Sequence, residues 1–178
     1  SSINIMSQLA MQANGNTGAH LKKIANHSAS MMEKMSDIVW SINPKNDSLE
    51  QVVIKMKEFA AEILEPKNLD YTFHIEETIY SLKLDAEKRK NIFLIFKEAV
   101  NNAAKYSEGN KLKVSLSVQK QQLSLSVSDN GKGFNLALGT TGNGLKNMED
   151  RAAAMRGRMT RISEPGKGTE IQLELPLT

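Results

Sequence analysis

The sequence predicts an α+β protein: a two-layer α/β sandwich over residues 48–178, preceded by an α-helical hairpin over residues 1–47. Three observations carry that expectation. Apolar residues near the N-terminus recur at close to heptad spacing, the signature of helices seeking partner helices. Residues Leu112 to Val118 and Leu123 to Val127 alternate apolar and polar, the period of half-buried strands. Beyond residue 48, strand-like and helix-like stretches follow one another so as to give one mixed sheet with helices on one face.

In the N-terminal part, Ile3, Met6, Leu9 and Ala10 share one helical face, and Asn14-Gly15-Asn16-Thr17-Gly18 is expected to break the run. A second helix carries Leu21, Ile24, Met31, Met35, Ile38 and Val39, and Pro44 is expected to end it. Two helices bury little by themselves, so this unit is expected to complete a four-helix bundle by forming a homodimer.

From Ser48 to about Glu65 the pattern is helical, with Ser48 and Gln51 offering a capping box. Leu69 to Glu76 reads as a strand and Asp85 to Tyr106 as a long helix. The two alternating strands are separated by Gln119-Lys120-Gln121-Gln122 and make a hairpin. A helix from about Leu145 to Met155 follows a glycine-rich stretch. Two final strands, Met159 to Ile162 and Thr169 to Leu175, flank Glu164-Pro165-Gly166-Lys167-Gly168.

Composition excludes several functions. The 178 residues contain no cysteine, so disulfides and thiolate chemistry are ruled out. Net charge is only +3 and the basic residues are scattered, which does not describe a nucleic-acid surface. No apolar run approaches the ~20 residues needed to span a bilayer. The chain begins Ser-Ser-Ile-Asn-Ile and reads as an excised fragment, so any membrane anchor of the parent is expected outside it.

Three clusters carry chemistry. On one helix, Glu98, Asn102 and Lys105 or Tyr106 fall at i, i+4 and i+7 or i+8. A carboxylate, an amide and an ammonium in line suit a hydrated divalent cation and the phosphates it bridges. At a strand end, Asp129-Asn130-Gly131-Lys132-Gly133 allows a sharp turn and close approach of backbone to a flat ligand. A carboxylate there can accept a hydrogen bond from an exocyclic amine such as that of adenine. Opening a helix, Gly139-Thr140-Thr141-Gly142-Asn143-Gly144-Leu145 offers free N–H groups to phosphates. It is not a Walker loop, because no Gly-Lys-Ser/Thr closes it. Each cluster alone also has a plain structural reading, as a solvated helix face or a turn.

Together, Glu98-x-x-x-Asn102, Asp129-x-Gly131-x-Gly133, Gly142-x-Gly144-Leu145 and Gly166-x-Gly168-Thr169 closely resemble the Bergerat nucleotide-binding fold. That superfamily includes gyrase, MutL, heat-shock chaperone ATPases and histidine kinases. The stretch Gly142 to Ala152 is similar to the version found in sensor histidine kinases, and the short lid between Gly133 and Gly142 resembles that of kinases pairing with the nitrate-sensor class of response regulator. The resemblance implies ATP and Mg²⁺ as ligands, with Asn102 on the metal and Glu98 polarising its water. It implies Asp129 on the adenine amine with Thr169 in support. Gly131 and Gly133 would shape the adenine pocket, and Gly142 and Gly144, beside Leu145, the phosphate side. Lys105 and Tyr106 match positions near phosphates and ribose. Arg151 matches the motif too, either as a ligand contact or as a surface ion pair.

Asp37 to Pro44 resembles the end of the second dimerisation helix of such kinases, with Trp40 a packing residue. The implied partners are a second copy of the chain and the receiver domain of a response regulator. The implied location is cytoplasmic, with an inner-membrane parent as one option. The kinase needs a histidine followed by an acidic residue able to take its proton. His20, His27 and His74 are followed by Leu21, Ser28 and Ile75, so the acceptor is expected upstream of Ser1. An anti-sigma-factor type serine kinase and an ATP-gated, non-catalytic dimer module are the alternatives.

Overall fold

The structure, a computed structural model, describes residues 17–43, 48–136 and 143–177. The chain divides into two compact units, one running to Asn43 and one starting at Pro44.

In the first unit the described part is a single helix, α1 (Thr17–Ile42). Thr17 and Gly18, the last residues of the expected break, already belong to it, and Asn14, Gly15 and Asn16 lie outside the described residues. A glycine in a helix costs only about 1 kcal/mol, which the following turns of good helix formers offset. The helix stops two residues before Pro44, since the residue preceding a proline disfavours helical geometry. Leu21, Met31, Met35 and Ile38 are exposed along it. The first helix expected from Ile3, Met6, Leu9 and Ala10 lies outside the described residues.

The second unit is the sandwich. Helix α2 (Leu49–Leu64) buries Leu49, Val52, Val53, Met56, Ala60 and Leu64 at i, i+3, i+4 and i+7 spacing. The capping box expected at its start does not form, because the Ser48 side chain makes no cap bond. The orphan amide of Leu49 instead donates to the Leu82 carbonyl at 2.9 Å, and Ser48 pairs with Lys83 as an isolated bridge. A neighbouring backbone thus does what the hydroxyl would have done.

Strand β1 (Asp70–Ile75) leads to α3 (Ala86–Tyr106), whose first turn is capped by the Asp85 carboxylate accepting from the Lys88 amide at 2.7 Å. Ile92, Ile95, Phe96, Ala99, Val100 and Ala103 bury the inner face of α3. Rings of Phe59, Phe73, Phe93 and Phe96 meet between α2, α3 and β1 with centroids 6.1–6.4 Å apart. Strands β2 (Lys111–Gln119) and β3 (Gln122–Asp129) form the hairpin, followed by α4 (Asn143–Ala154), β4 (Arg158–Ser163) and β5 (Thr169–Pro176).

The sheet order is β1-β2-β3-β5-β4, with β1 parallel to β2 and every other pair antiparallel. Leu112, Val114, Leu116, Leu123, Leu125, Val127, Leu173 and Leu175 are buried on one face, and their neighbours in sequence on the other face are not. One covered face and one open face make the two-layer sandwich that the alternation predicted. Register also sets the site: Asp129 pairs directly with Thr169 across β3 and β5.

The hairpin turn is tighter than its sequence suggested. Gln119 pairs with Gln122, leaving only Lys120 and Gln121 as the turn, at φ 50° and 62°. Two consecutive left-handed residues match the right-handed twist of the strands, but neither lysine nor glutamine favours that region. Replacing Lys120 by Asn and Gln121 by Gly is expected to raise stability by about 0.5–1 kcal/mol. The check is the urea midpoint of the full chain, which should rise with an unchanged denaturant slope.

Candidate functional site

A cleft of about 670 Å³ opens between α3, the ends of β3 and β5, and the start of α4. That is the size of a small-molecule or cofactor pocket. Its α3 wall carries Glu98, Asn102 and Tyr106, one turn apart, along the edge of the packed face, with Ala99 and Ala103 of that face also lining the cleft. The Asn102 amide nitrogen donates to Glu98 Oε1 at 3.2 Å, which leaves the Asn102 oxygen as an acceptor. Tyr106 stands at the rim with its ring largely exposed. Lys105, expected beside it, does not line the cleft; one residue along a helix turns the side chain by about 100°, and here that sends it outward to solvent.

The floor of the cleft is the loop that leaves β3. Asp129 is half-buried there; its Oδ1 accepts from the Gly131 amide at 2.8 Å, and the carboxylate also accepts from the Thr169 amide. Burial is the larger influence and holds the Asp129 carboxyl above its ordinary pKa; the two amides pull the other way.

Beyond Asp129, the chain is tied back to the end of α3. The Lys132 amide donates to the Ser107 carbonyl at 2.6 Å, and any side chain at Gly131 would collide with that same carbonyl. Gly131 is therefore needed for room, whereas Gly133, at φ 56°, is needed for its conformation as well. The sequence argument from positive φ holds for the second glycine and not for the first. Asn130 completes the tie: its Oδ1 accepts from the amides of Asn110 and Lys111 at 3.0 and 2.9 Å, and its Nδ2 donates to Asn110 Oδ1 at 2.8 Å.

The opposite wall is the first turn of α4. Asn143, Gly144 and Leu145 line the cleft there, and a side chain at Gly144 would run into the Glu98 carboxylate. Gly142 lies outside the described residues. Arg151 points away from the cleft and binds Asn91 Oδ1 on α3 at 3.1 Å, so it is neither a ligand contact nor a surface ion pair but a tie between two helices.

Of the residues singled out from sequence, the cleft gathers Glu98, Asn102, Tyr106, Asp129, Gly133, Gly144, Leu145 and Thr169. It adds Lys132, Phe134 and Asn143, which sequence reasoning quoted within motifs or beside them but assigned no part. Lys132 also pairs with Glu108 at 2.6 Å. The signal for all three was adjacency to a motif glycine, since a glycine that admits a ligand brings its neighbours to the same edge.

The pocket is thus walled by an Asn–Glu pair, floored by a held carboxylate and bordered by the first turn of a helix. The family profile described as "Histidine kinase-, DNA gyrase B-, and HSP90-like ATPase" matches residues 87–178, and the chain belongs to that family. The chain is similar to the sensor histidine kinase LiaS of Bacillus subtilis, 32% identical over 123 residues, which cover 68% of this chain and 34% of LiaS. The sensor protein VraS of Staphylococcus saprophyticus is 29% identical over 172 residues, covering 96% of this chain and 42% of VraS. The chain thus spans between a third and a half of these two relatives. Among solved structures, the histidine kinase AdeS of Acinetobacter baumannii has a TM-score of 0.67 at 19% identity, over 99% of this chain and 95% of that one. Full-length ShkA in complex with AMPPNP gives 0.66 at 14% identity, over 97% of this chain and 45% of that one. At those identities the likeness concerns the fold. No helix among the described residues is long and apolar enough to cross a membrane.

The raised Asp129 carboxyl has a consequence for stability. With a folded pKa above the unfolded one, the folded chain holds this proton at a pH where the unfolded chain has released it. The group therefore costs stability as pH rises from its ordinary value through the raised one, and the cost is complete above that. Asp129→Asn keeps an acceptor for the Gly131 amide without the charge. The ligand-free variant is expected to melt higher than wild type at neutral pH and to converge with it in acid. Parallel melting curves from acid to neutral pH are the check.

Proposed function

We propose that this chain binds ATP with Mg²⁺ in the cleft and offers the γ-phosphate to a histidine, as the ATP-dependent part of a sensor histidine kinase. The observation that carries this reading is the Asp129 carboxylate, half-buried on the cleft floor and oriented by the amides of Gly131 and Thr169. A partly desolvated, oriented acceptor on the floor of a cleft suits the amine of adenine.

The opposite end suits phosphates. The first turn of α4 brings Asn143 and Gly144 to the cleft, where helix N-terminal amides and the helix dipole favour negative charge. Asn102 would hold the metal through its amide oxygen, and Glu98 would accept hydrogen bonds from the metal's waters. Among the described residues no group of three His, Cys, Asp or Glu could hold a metal unaided. Mg²⁺ is commonly held by one or two protein groups together with phosphates and waters, a role the Asn102–Glu98 pair could fill. Bound there, Mg²⁺ would neutralise charge that develops on the phosphates.

No histidine lines the cleft among the described residues. His20 and His27 lie on α1, and His74 is exposed on the outer face of β1. None of the three is followed by an acidic residue able to take its proton, so in this reading the acceptor is another histidine. The exposed Leu21, Met31, Met35 and Ile38 on α1 support self-association of that module. The receiver domain of a response regulator is the onward partner, and the site of action is cytoplasmic. The likeness to AdeS takes in α1 along with the sandwich, which favours this reading over a serine kinase consisting of the ATP domain alone.

Calorimetry on the full chain tests the assignment. Asp129→Ala is expected to weaken ATP binding by about 1–3 kcal/mol, the loss of an oriented acceptor from a partly desolvated site. Equal affinity in wild type and variant would remove the adenine assignment. Asn102→Ala is expected to abolish most of the gain in ATP affinity that Mg²⁺ gives, while ADP binding in chelator stays within a few-fold of wild type. An undiminished Mg²⁺ effect would show that Asn102 is not the ligand.

A further inference from the structure

Behind the cleft floor sits a buried hydroxyl whose hydrogen bonds can be counted. Ser163, the last residue of β4, is 7% exposed and does not line the cleft. Its Oγ lies 3.0 Å from the Phe134 amide, 3.0 Å from the Gly168 carbonyl oxygen and 3.0 Å from Thr169 Oγ1. A serine hydroxyl has one proton to give and two lone pairs to receive.

Two of these three bonds have a fixed direction. The Phe134 amide can only donate, and the Gly168 carbonyl can only accept. The Ser163 proton is therefore committed to Gly168, and one lone pair is taken by Phe134. The contact with Thr169 then runs one way: Thr169 donates, and Ser163 receives on its second lone pair. Thr169 has no other proton on its side chain, so toward the cleft its Oγ1 is an acceptor only.

Asp129, its direct partner across β3 and β5, is also an acceptor, as its carboxylate receives from two amides. Both residues line the cleft. We infer that Ser163 is a specificity-determining residue acting through Thr169: by taking the Thr169 proton it makes the base end of the cleft an acceptor-only floor, selective for a base with an exocyclic amine and against one with a carbonyl there. The inference rests on the reading of the cleft as a nucleotide site and goes beyond it by naming what sets the choice of base. Two acceptors match the two hydrogens of an amine; a carbonyl in its place leaves half-buried acceptors facing another acceptor, an unpaired arrangement that costs affinity.

The test compares binding of ATP and of ITP, which carries a carbonyl where ATP carries the amine, with Mg²⁺ and the full chain. Wild type is expected to favour ATP. In Ser163→Ala the Thr169 proton is released and can turn to meet a carbonyl, so the ATP/ITP preference is expected to fall by about tenfold, chiefly through tighter ITP binding. Ser163→Thr retains the hydroxyl and is expected to retain the preference. In a Thr169→Val background, Ser163→Ala should no longer alter the ratio, because the proton it controls is gone. A merely structural Ser163 would lower both affinities together and leave the ratio intact; that result overturns the inference. If Ser163→Ala does not fold, Ser163→Cys, a weak acceptor of similar shape, is expected to move the ratio in the same direction, and an unchanged ratio there is equally decisive. Failure of wild type to bind ATP at all would instead overturn the reading of the cleft on which the inference stands.

Discussion

The end of α3 and the end of β3 are joined through one carbonyl group, that of Ser107, and the cleft depends on this junction. It receives the Lys132 amide at 2.6 Å and lies so close to Gly131 that only hydrogen can stand on that α-carbon. The helix carries the proposed metal ligands and the strand carries the base-reading carboxylate. The buried face of α3 already packs it on the sheet, and the junction fixes the loop after Asp129 against the end of that helix. Asn130, bound on three sides to the Asn110–Lys111 segment, closes the same loop from the other edge. The loop's regular hydrogen bonding is thus supplied by side chains and by one helix terminus, in place of a sheet ladder.

That arrangement explains why the fold was more legible than the local details of the site. Strands β2, β3 and β5 alternate cleanly because one face of the sheet is covered and the other is open, so burial writes itself into the sequence with period two. Helix α3 was legible for the same reason with period 3.6. What sequence missed were features fixed by space or by partners distant in the chain. The α2 start is satisfied by the Leu82 carbonyl, so Ser48 and Gln51 promised a cap that the fold had no need for. The hairpin was expected with a four-residue connection, but the outer glutamines extend the strands and leave two residues at positive φ. Lys105 and Tyr106 were inseparable from spacing alone, and only the helix phase places Tyr106 on the cleft and Lys105 in solvent.

At the site itself, residue types were legible but their reasons were not. Gly144 matters because of Glu98, a residue 46 positions earlier, and no local pattern could announce that contact. Arg151 sits in a motif yet serves packing, through Asn91 on α3. Ser163 belongs to none of the four motifs, and its significance depends on three partners that only the closed β4–β5 turn brings together.

The base end of the cleft is organised before any ligand arrives, and this has a thermodynamic cost that the rest of the domain must offset. Burial holds the Asp129 carboxyl above its ordinary pKa, so ionising that group costs more in the folded chain than in the unfolded one. A donor arriving from a ligand relieves part of that penalty. The free energy stored as an under-solvated carboxylate is then returned as selectivity, because only a ligand presenting hydrogen at that place can relieve it. The phosphate end works on a different principle, with amides at the head of α4 that accept negative charge from many sources. Discrimination between nucleotides must therefore reside where the acceptors are half-buried and fixed, and general phosphate affinity where the helix begins. The Ser107 junction holds the end of the α3 wall, with the proposed metal ligands on that helix, against the loop that carries Asp129.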